Sequence, residues 1–108
     1  MTTAIDPHRG EIQNLCRQFG VQQLDVFGSA AGPGFDAARS DVDFVVDFGS
    51  GEQADLFNRY FGLKERLEQL FGRSVDLVMS GAMVNPHFID SVNRTRQRVY
   101  ARTITEVA

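Results

Sequence analysis

Apolar and polar positions alternate with clear periods along most of the chain. Ile12, Leu15, Cys16 and Phe19 recur at helical spacing. Asp6-Pro7 ahead of them reads as an N-cap followed by proline at the first helical position, and Gly20 as a stop. Gln22 to Phe27 is short and β-compatible and ends at Gly28-Ser29. Ala30 to Ser40 holds Gly32, Pro33 and Gly34 with little periodicity, which predicts a loop. Asp41 to Phe48 is the clearest strand. Val42, Phe44, Val46 and Phe48 fall on one face, and Asp41, Asp43, Val45 and Asp47 on the other.

Gly49-Ser50-Gly51 ends that strand. Leu56, Tyr60, Leu63, Leu67 and Leu70 then step by four and three, predicting a long amphipathic helix capped by Gly72. Phe57 and Phe61 widen its apolar face and are expected, with Tyr60, in the core; a partner-binding role for that face is the alternative. Ser74 to Met79 predicts another strand, with Asp76 inside an apolar run. Asn85-Pro86 repeats the cap-plus-proline signal. Phe88, Ile89, Val92, Arg96 and Val99 fit a final helix, with an extended Arg98–Thr103 as the alternative. The order helix, strand, loop, strand, helix, strand, helix predicts an α+β fold, an α/β sandwich. Its core would lie between the apolar strand face and the long helix.

Length narrows this to one domain spanning residues 1–108, since a chain of 108 residues with 43% hydrophobic residues has material for one core. Eleven Lys and Arg against 14 Asp and Glu give a net charge of −3, which argues against holding nucleic acid by bulk electrostatics. No apolar run approaches a membrane span, and the N-terminus lacks a secretory pattern. One cysteine, Cys16, excludes an internal disulfide and a multi-cysteine metal site, so the expected setting is a reduced cytoplasm. Arg94, Arg96, Arg98 and Arg102 cluster near the C-terminus. Base composition of the genome accounts for them most simply, and a patch facing phosphate or carboxylate is the sharper reading.

Three acids carry the chemistry. Asp41 and Asp43 stand two apart on a strand, so both carboxylates share a face, and each resists ionisation unless a cation lies between them. Oxygen-only ligands suit a hard divalent ion such as Mg²⁺. An acidic solvent-facing edge strand gives the same pattern. Gly28-Ser29 closes the preceding strand, and such a turn lets backbone N–H groups approach a phosphate. An ordinary strand-to-loop turn reads identically. Asp76 in Val-Asp-Leu-Val is costly if buried unpaired and tolerable in a polar cleft, where a neighbouring strand would set it beside Asp41 and Asp43.

Taken together, "LDVFGSAAGPGFDAARSDVDFVVDF" followed by "RSVDLVMS" resembles the minimal nucleotidyltransferases (MNT) of the DNA polymerase β superfamily. That pattern is a strand ending in Gly-Ser, a variable loop, Ser-Asp-x-Asp on the next strand and a third Asp on a later one. Gly28, Ser29, Ser40, Asp41, Asp43 and Asp76 match it, within a resemblance running from about Leu24 to Met79. It implies a nucleotidyltransferase fold with a small mixed sheet and helices packed on one face. It implies that Asp41 and Asp43 bind two Mg²⁺ ions, with Mn²⁺ as the other candidate. Asp76 would ligate the second ion and serve or position the base. Gly28, Ser29 and Ser40 would bind the nucleotide. Many members carry arginines directly after Gly-Ser and two positions later, where this chain has Ala30 and Gly32. A clamp on the triphosphate would then come from Arg73 or the C-terminal arginines.

The same resemblance implies a function. Minimal members are commonly paired with a small helical HEPN ribonuclease toxin and act as antitoxins by moving AMP from ATP onto a tyrosine of that partner. The expected activity is therefore metal-dependent protein adenylylation, with a HEPN-type partner supplying the acceptor that so short a chain does not form alone. The alternatives are an inactive nucleotidyltransferase-fold module that neutralises its partner by contact, and nucleotidyl transfer to RNA or a small molecule. The acidic charge disfavours direct nucleic-acid binding. Homo-oligomerisation is left open. His8 and His87, each beside a proline, read as surface or packing residues, and Cys16 as core.

Overall fold

Val42, Phe44 and Val46 are fully buried, as their alternation requires, and they define the inner face of a four-stranded sheet. The computed structural model describes residues 5–28, 42–49 and 55–102. The predicted loop from Ala30 to Ser40, together with Ser29 and Asp41, lies outside them. The strands are β1 (Gln23–Phe27), β2 (Val42–Asp47), β3 (Val75–Met79) and β4 (Gln97–Ala101), and the helices α1 (Arg9–Gln18), α2 (Leu56–Phe71) and α3 (Pro86–Thr95). Spatial order is β3-β2-β1-β4. β1 runs antiparallel to β2 and β4, and β2 runs parallel to β3, so the sheet is mixed as expected.

The main core forms where Ile12, Leu15 and Cys16 of α1 and Leu63 and Leu67 of α2 meet Leu24, Val26, Phe44, Val46, Val75, Leu77 and Val99 of the sheet. Each such side chain contributes about 1.5–3 kcal/mol by leaving water. Arg59 of α2 locks the corner between the helices: its guanidinium donates to the carbonyls of Phe19 (3.0 Å) and Gly20 (2.8 Å) and lies over the Phe48 ring. Gly72 ends α2 in the left-handed conformation, its N–H returning to the Glu68 carbonyl. Asn85 caps α3, its side chain accepting from the N–H groups of His87 and Phe88.

Four details differ from the sequence reading. A 3-10 turn, Asp6–His8, precedes α1, which begins at Arg9. After α3 the chain turns extended, so Val99 is a buried strand residue rather than part of the last helix. α1 and α2 form the helix layer over the inner face, whereas α3 lies on the other face, where Val92 packs with Phe27, Val45, Val78 and Met83. Phe57 and Phe61 are not core: they are 73% and 50% exposed.

Candidate active site

Phe27 pairs with Asp43 across β1 and β2, and Asp43 pairs with Asp76 across β2 and β3. Their neighbours Val26, Phe44 and Leu77 point into the core, so alternation turns Asp43 and Asp76 to the outer face. The two carboxylates thus stand side by side on adjacent strands, Asp43 half-buried and Asp76 exposed. They open into a cleft of about 360 Å³ that is also lined by Phe27, Tyr60, Lys64, Leu77, Val78 and Phe88. A groove of equal volume between α1 and α2 has one carboxylate, Glu11, and no such array.

Gly28 follows Phe27 with φ +72°. A β-carbon there would sit 2.8 Å from Asp43 Oδ2, so glycine is favoured by the backbone, and any side chain would also displace the end of the Asp43 carboxylate. Its N–H donates to Thr95 Oγ1 at the end of α3 (2.9 Å). Gly28 therefore gives the site room, while its own N–H holds α3 against the β1 turn.

The far side of the cleft is built by α2. Tyr60 Oη donates to the Leu77 carbonyl (2.6 Å), and Glu68 accepts from the Val75 N–H (3.1 Å) and from Lys64 Nζ (3.0 Å). Bonding to Glu68 holds the Lys64 ammonium above its usual pKa, with Glu68, Tyr60 and Asp76 adding to the effect. Lys64 and the Val75 N–H hold the Glu68 carboxyl below its usual range. Two outward-facing groups of the β3 edge, the Val75 N–H and the Leu77 carbonyl, are thereby satisfied by side chains of α2.

Behind the cleft lies Asp25, 4% exposed. Arg96 donates to its Oδ2 through Nε and Nη2, both at 2.8 Å, Gln23 Nε2 donates at 3.2 Å, and Arg98 stands 4.0 Å away. Three of the C-terminal arginines, Arg94, Arg96 and Arg98, face carboxylates of the same chain, Arg94 pairing with Asp90. Among the described residues lining the cleft the cation is Lys64, not Arg73 or a C-terminal arginine.

Of the residues singled out from sequence, Gly28, Asp43 and Asp76 come together; Ser29, Ser40 and Asp41 lie outside the described residues. Among the described residues no cluster of three metal-ligating side chains exists. The donor set nonetheless fits a hard cation, for Asp43 and Asp76 offer adjacent oxygen ligands on an open face with room for retained water. His8 packs edge-on against Phe71, and His87 is exposed at the start of α3. Cys16 is buried in the core, which pushes its thiol up to about 12. Sequence reasoning missed Lys64, Tyr60, Phe88 and Thr95 as neighbours of the acids. The available signal was that Lys64 is the chain's one lysine, one turn beyond Tyr60 on a helix leading into the Asp76 strand.

Known proteins resemble this chain in sequence and fold. A family model described as a nucleotidyltransferase domain matches residues 11–100. A curated relative from Methanocaldococcus jannaschii, named as a candidate protein adenylyltransferase, is 35% identical over 78 residues, 72% of this chain and 76% of its own. A solved structure described as a minimal nucleotidyltransferase superposes with a TM-score of 0.69 at 30% identity, covering 86% of this chain and 90% of the other. The complex of tri-AMPylated Shewanella oneidensis HEPN toxin with its MNT antitoxin contains a chain matching with a TM-score of 0.62 at 16% identity, over 94% of this chain and 76% of that one. At that identity the likeness is one of fold.

Proposed function

The chain belongs to the nucleotidyltransferase domain family, and from that premise we propose that it transfers AMP from ATP to a tyrosine hydroxyl of a HEPN-type toxin, acting as its antitoxin. The observation that carries the reading is the pairing of Asp43 with Asp76 in a cleft beside the Gly28 turn. Adenylyl transfer, rather than transfer of another nucleotide, is supported by the name of the curated relative. The HEPN partner is supported by the solved toxin–antitoxin complexes of like fold.

In this reading Asp41, Asp43 and Asp76 would hold two Mg²⁺ ions. When bound, such ions neutralise triphosphate charge and stabilise the entering and leaving oxygens of an in-line displacement. Gly28 keeps the floor open beside Asp43, and Ser29 and Ser40 donate hydroxyls to the phosphates. Asp76 takes the acceptor's proton. The acceptor oxygen bonds to the α-phosphorus as the bond to the bridging oxygen breaks, and pyrophosphate leaves. Lys64 lies beyond Asp76, opposite the Gly28 side where phosphate would be held, and so would face the acceptor.

The test is a labelling reaction with α-labelled ATP, Mg²⁺ and native-host lysate. One protein band labelled from the α-position by wild type and not by Asp43→Asn is the expected result. A second reading, neutralisation by contact alone, draws on Ala30 and Gly32 in place of arginines and on the ion pairs that occupy Arg94 and Arg96. An antitoxin that protects equally well with Asp41, Asp43 and Asp76 all changed to Asn would select it.

A further inference from the structure

Helix α2 buries Leu63 and Leu67 completely yet leaves two phenylalanines in water, Phe57 at 73% and Phe61 at 50% exposure. The rings lie against each other at a tilt of 46°, with centroids 4.6 Å apart. Phe61 meets Tyr60 edge-on at 4.9 Å. Tyr60 and Lys64 in turn line the cleft beside Asp76. Phe57, Phe61 and Lys64 are spaced four and three apart, so they share one helical face. An unbroken aromatic track therefore runs from open solvent along α2 to the outer side of Asp76.

The cleft is small for two substrates. At about 360 Å³ it lies near the low end of the roughly 300–1,000 Å³ that holds one small ligand. With a triphosphate inside, the described lining leaves little space for a second substrate, and an acceptor would be gripped on the surface beside it. The surface that continues from the Asp76 side is the α2 track.

Its chemistry suits a protein. Clustered exposed aromatics are the usual anchors of protein interfaces. A nucleic acid would ask for a row of cations, and the track has Lys64 alone, already paired with Glu68, in a chain of net charge −3. We infer that Phe57 and Phe61 form the docking surface for a protein acceptor and lead its hydroxyl to the Asp76 side of the cleft. The inference rests on the nucleotidyl-transfer reading of that cleft and adds to it the route by which the acceptor arrives.

The experiment compares wild type with Phe57→Ser/Phe61→Ser in two measurements. One is binding of α,β-methylene-ATP with Mg²⁺ by calorimetry. The other is labelling of the lysate protein by α-labelled ATP. The double variant is expected to bind the nucleotide analogue as wild type does, which also shows that it is folded, and to lose labelling by about tenfold or more. Val84→Ser, which alters an apolar residue that is 82% exposed and off the track, is expected to label as wild type. Equal labelling by the double variant overturns the docking surface and leaves the activity standing. So does a labelled species that ribonuclease destroys, or a wild-type dimer that the double variant splits, since the track would then serve RNA or a second copy. Wild type that neither binds the analogue nor labels anything overturns the proposed function and the docking surface together.

Discussion

Gly28 and Asp43 compete for one volume: a β-carbon on the glycine would lie 2.8 Å from the carboxylate Oδ2. Gly28→Ala is thus penalised twice. The left-handed backbone costs a non-glycine residue about 1–2 kcal/mol, and the methyl must also push Asp43 aside. The expected outcome is an unfolding free energy, read from urea titration, lowered by about 1–2 kcal/mol, and a loss of nucleotidyl transfer greater than the fraction unfolded explains. Transfer that survives in step with the folded fraction would show that Asp43 has no need of its present position.

Asp76 stands exposed on the outer face of β3. Asp76→Asn should leave stability within about 0.5 kcal/mol, as surface changes do, while transfer falls by about 100-fold or more, the scale of losing one preorganised charge contact. Thermal melts beside the labelling assay separate the two effects.

The Asp25–Arg96 pair joins β1 to the end of α3 with little access to water. Arg96→Ala strands a buried carboxylate, so a loss of about 3–5 kcal/mol is expected. Arg94→Ala breaks an exposed pair with Asp90 and should cost under about 1 kcal/mol. Denaturant titrations of both variants, read in parallel, give the contrast directly.

Cys16 gives a pH signature. Burial raises its thiol from 9.0 to about 12. The native state then keeps a proton that the unfolded state releases above its pKa, so the contribution is full below pH 9 and falls as pH climbs toward 12. The slope is of order 1.4 kcal/mol per pH unit in that window. Cys16→Ala should be less stable at neutral pH through lost packing but should show a flatter decline in alkali. A thiol reagent at pH 8 should label native protein far more slowly than protein in urea.

The sequence was most readable where one period held without interruption. β2 and α2 each carry a sustained pattern, and the register of β3 beside β2 then brings Asp76 to Asp43, as two acids on like faces of two strands suggested. The end of the chain was harder. Val92, Arg96 and Val99 keep helical spacing straight through the point where α3 stops and β4 begins, and five residues of alternation are too few to outweigh that. Asp25 looked unremarkable because Gln-Leu-Asp-Val-Phe puts it on the polar side of a half-buried strand. It is buried because α3 covers that side and brings Arg96 with it. Phe57 and Phe61 lie next to the leucine stripe, close enough in angle to be read as core, and only the position of the β3 edge leaves them outside. Lys64 enters the cleft by the same accident of angle.

The β3 margin is covered by α2 at two of its outward backbone groups. Tyr60 and Glu68 occupy the outward backbone groups at Leu77 and Val75, so no incoming strand can extend the sheet past β3 without first displacing them. Strand addition at that margin would therefore begin by opening the α2 contacts that also frame the cleft.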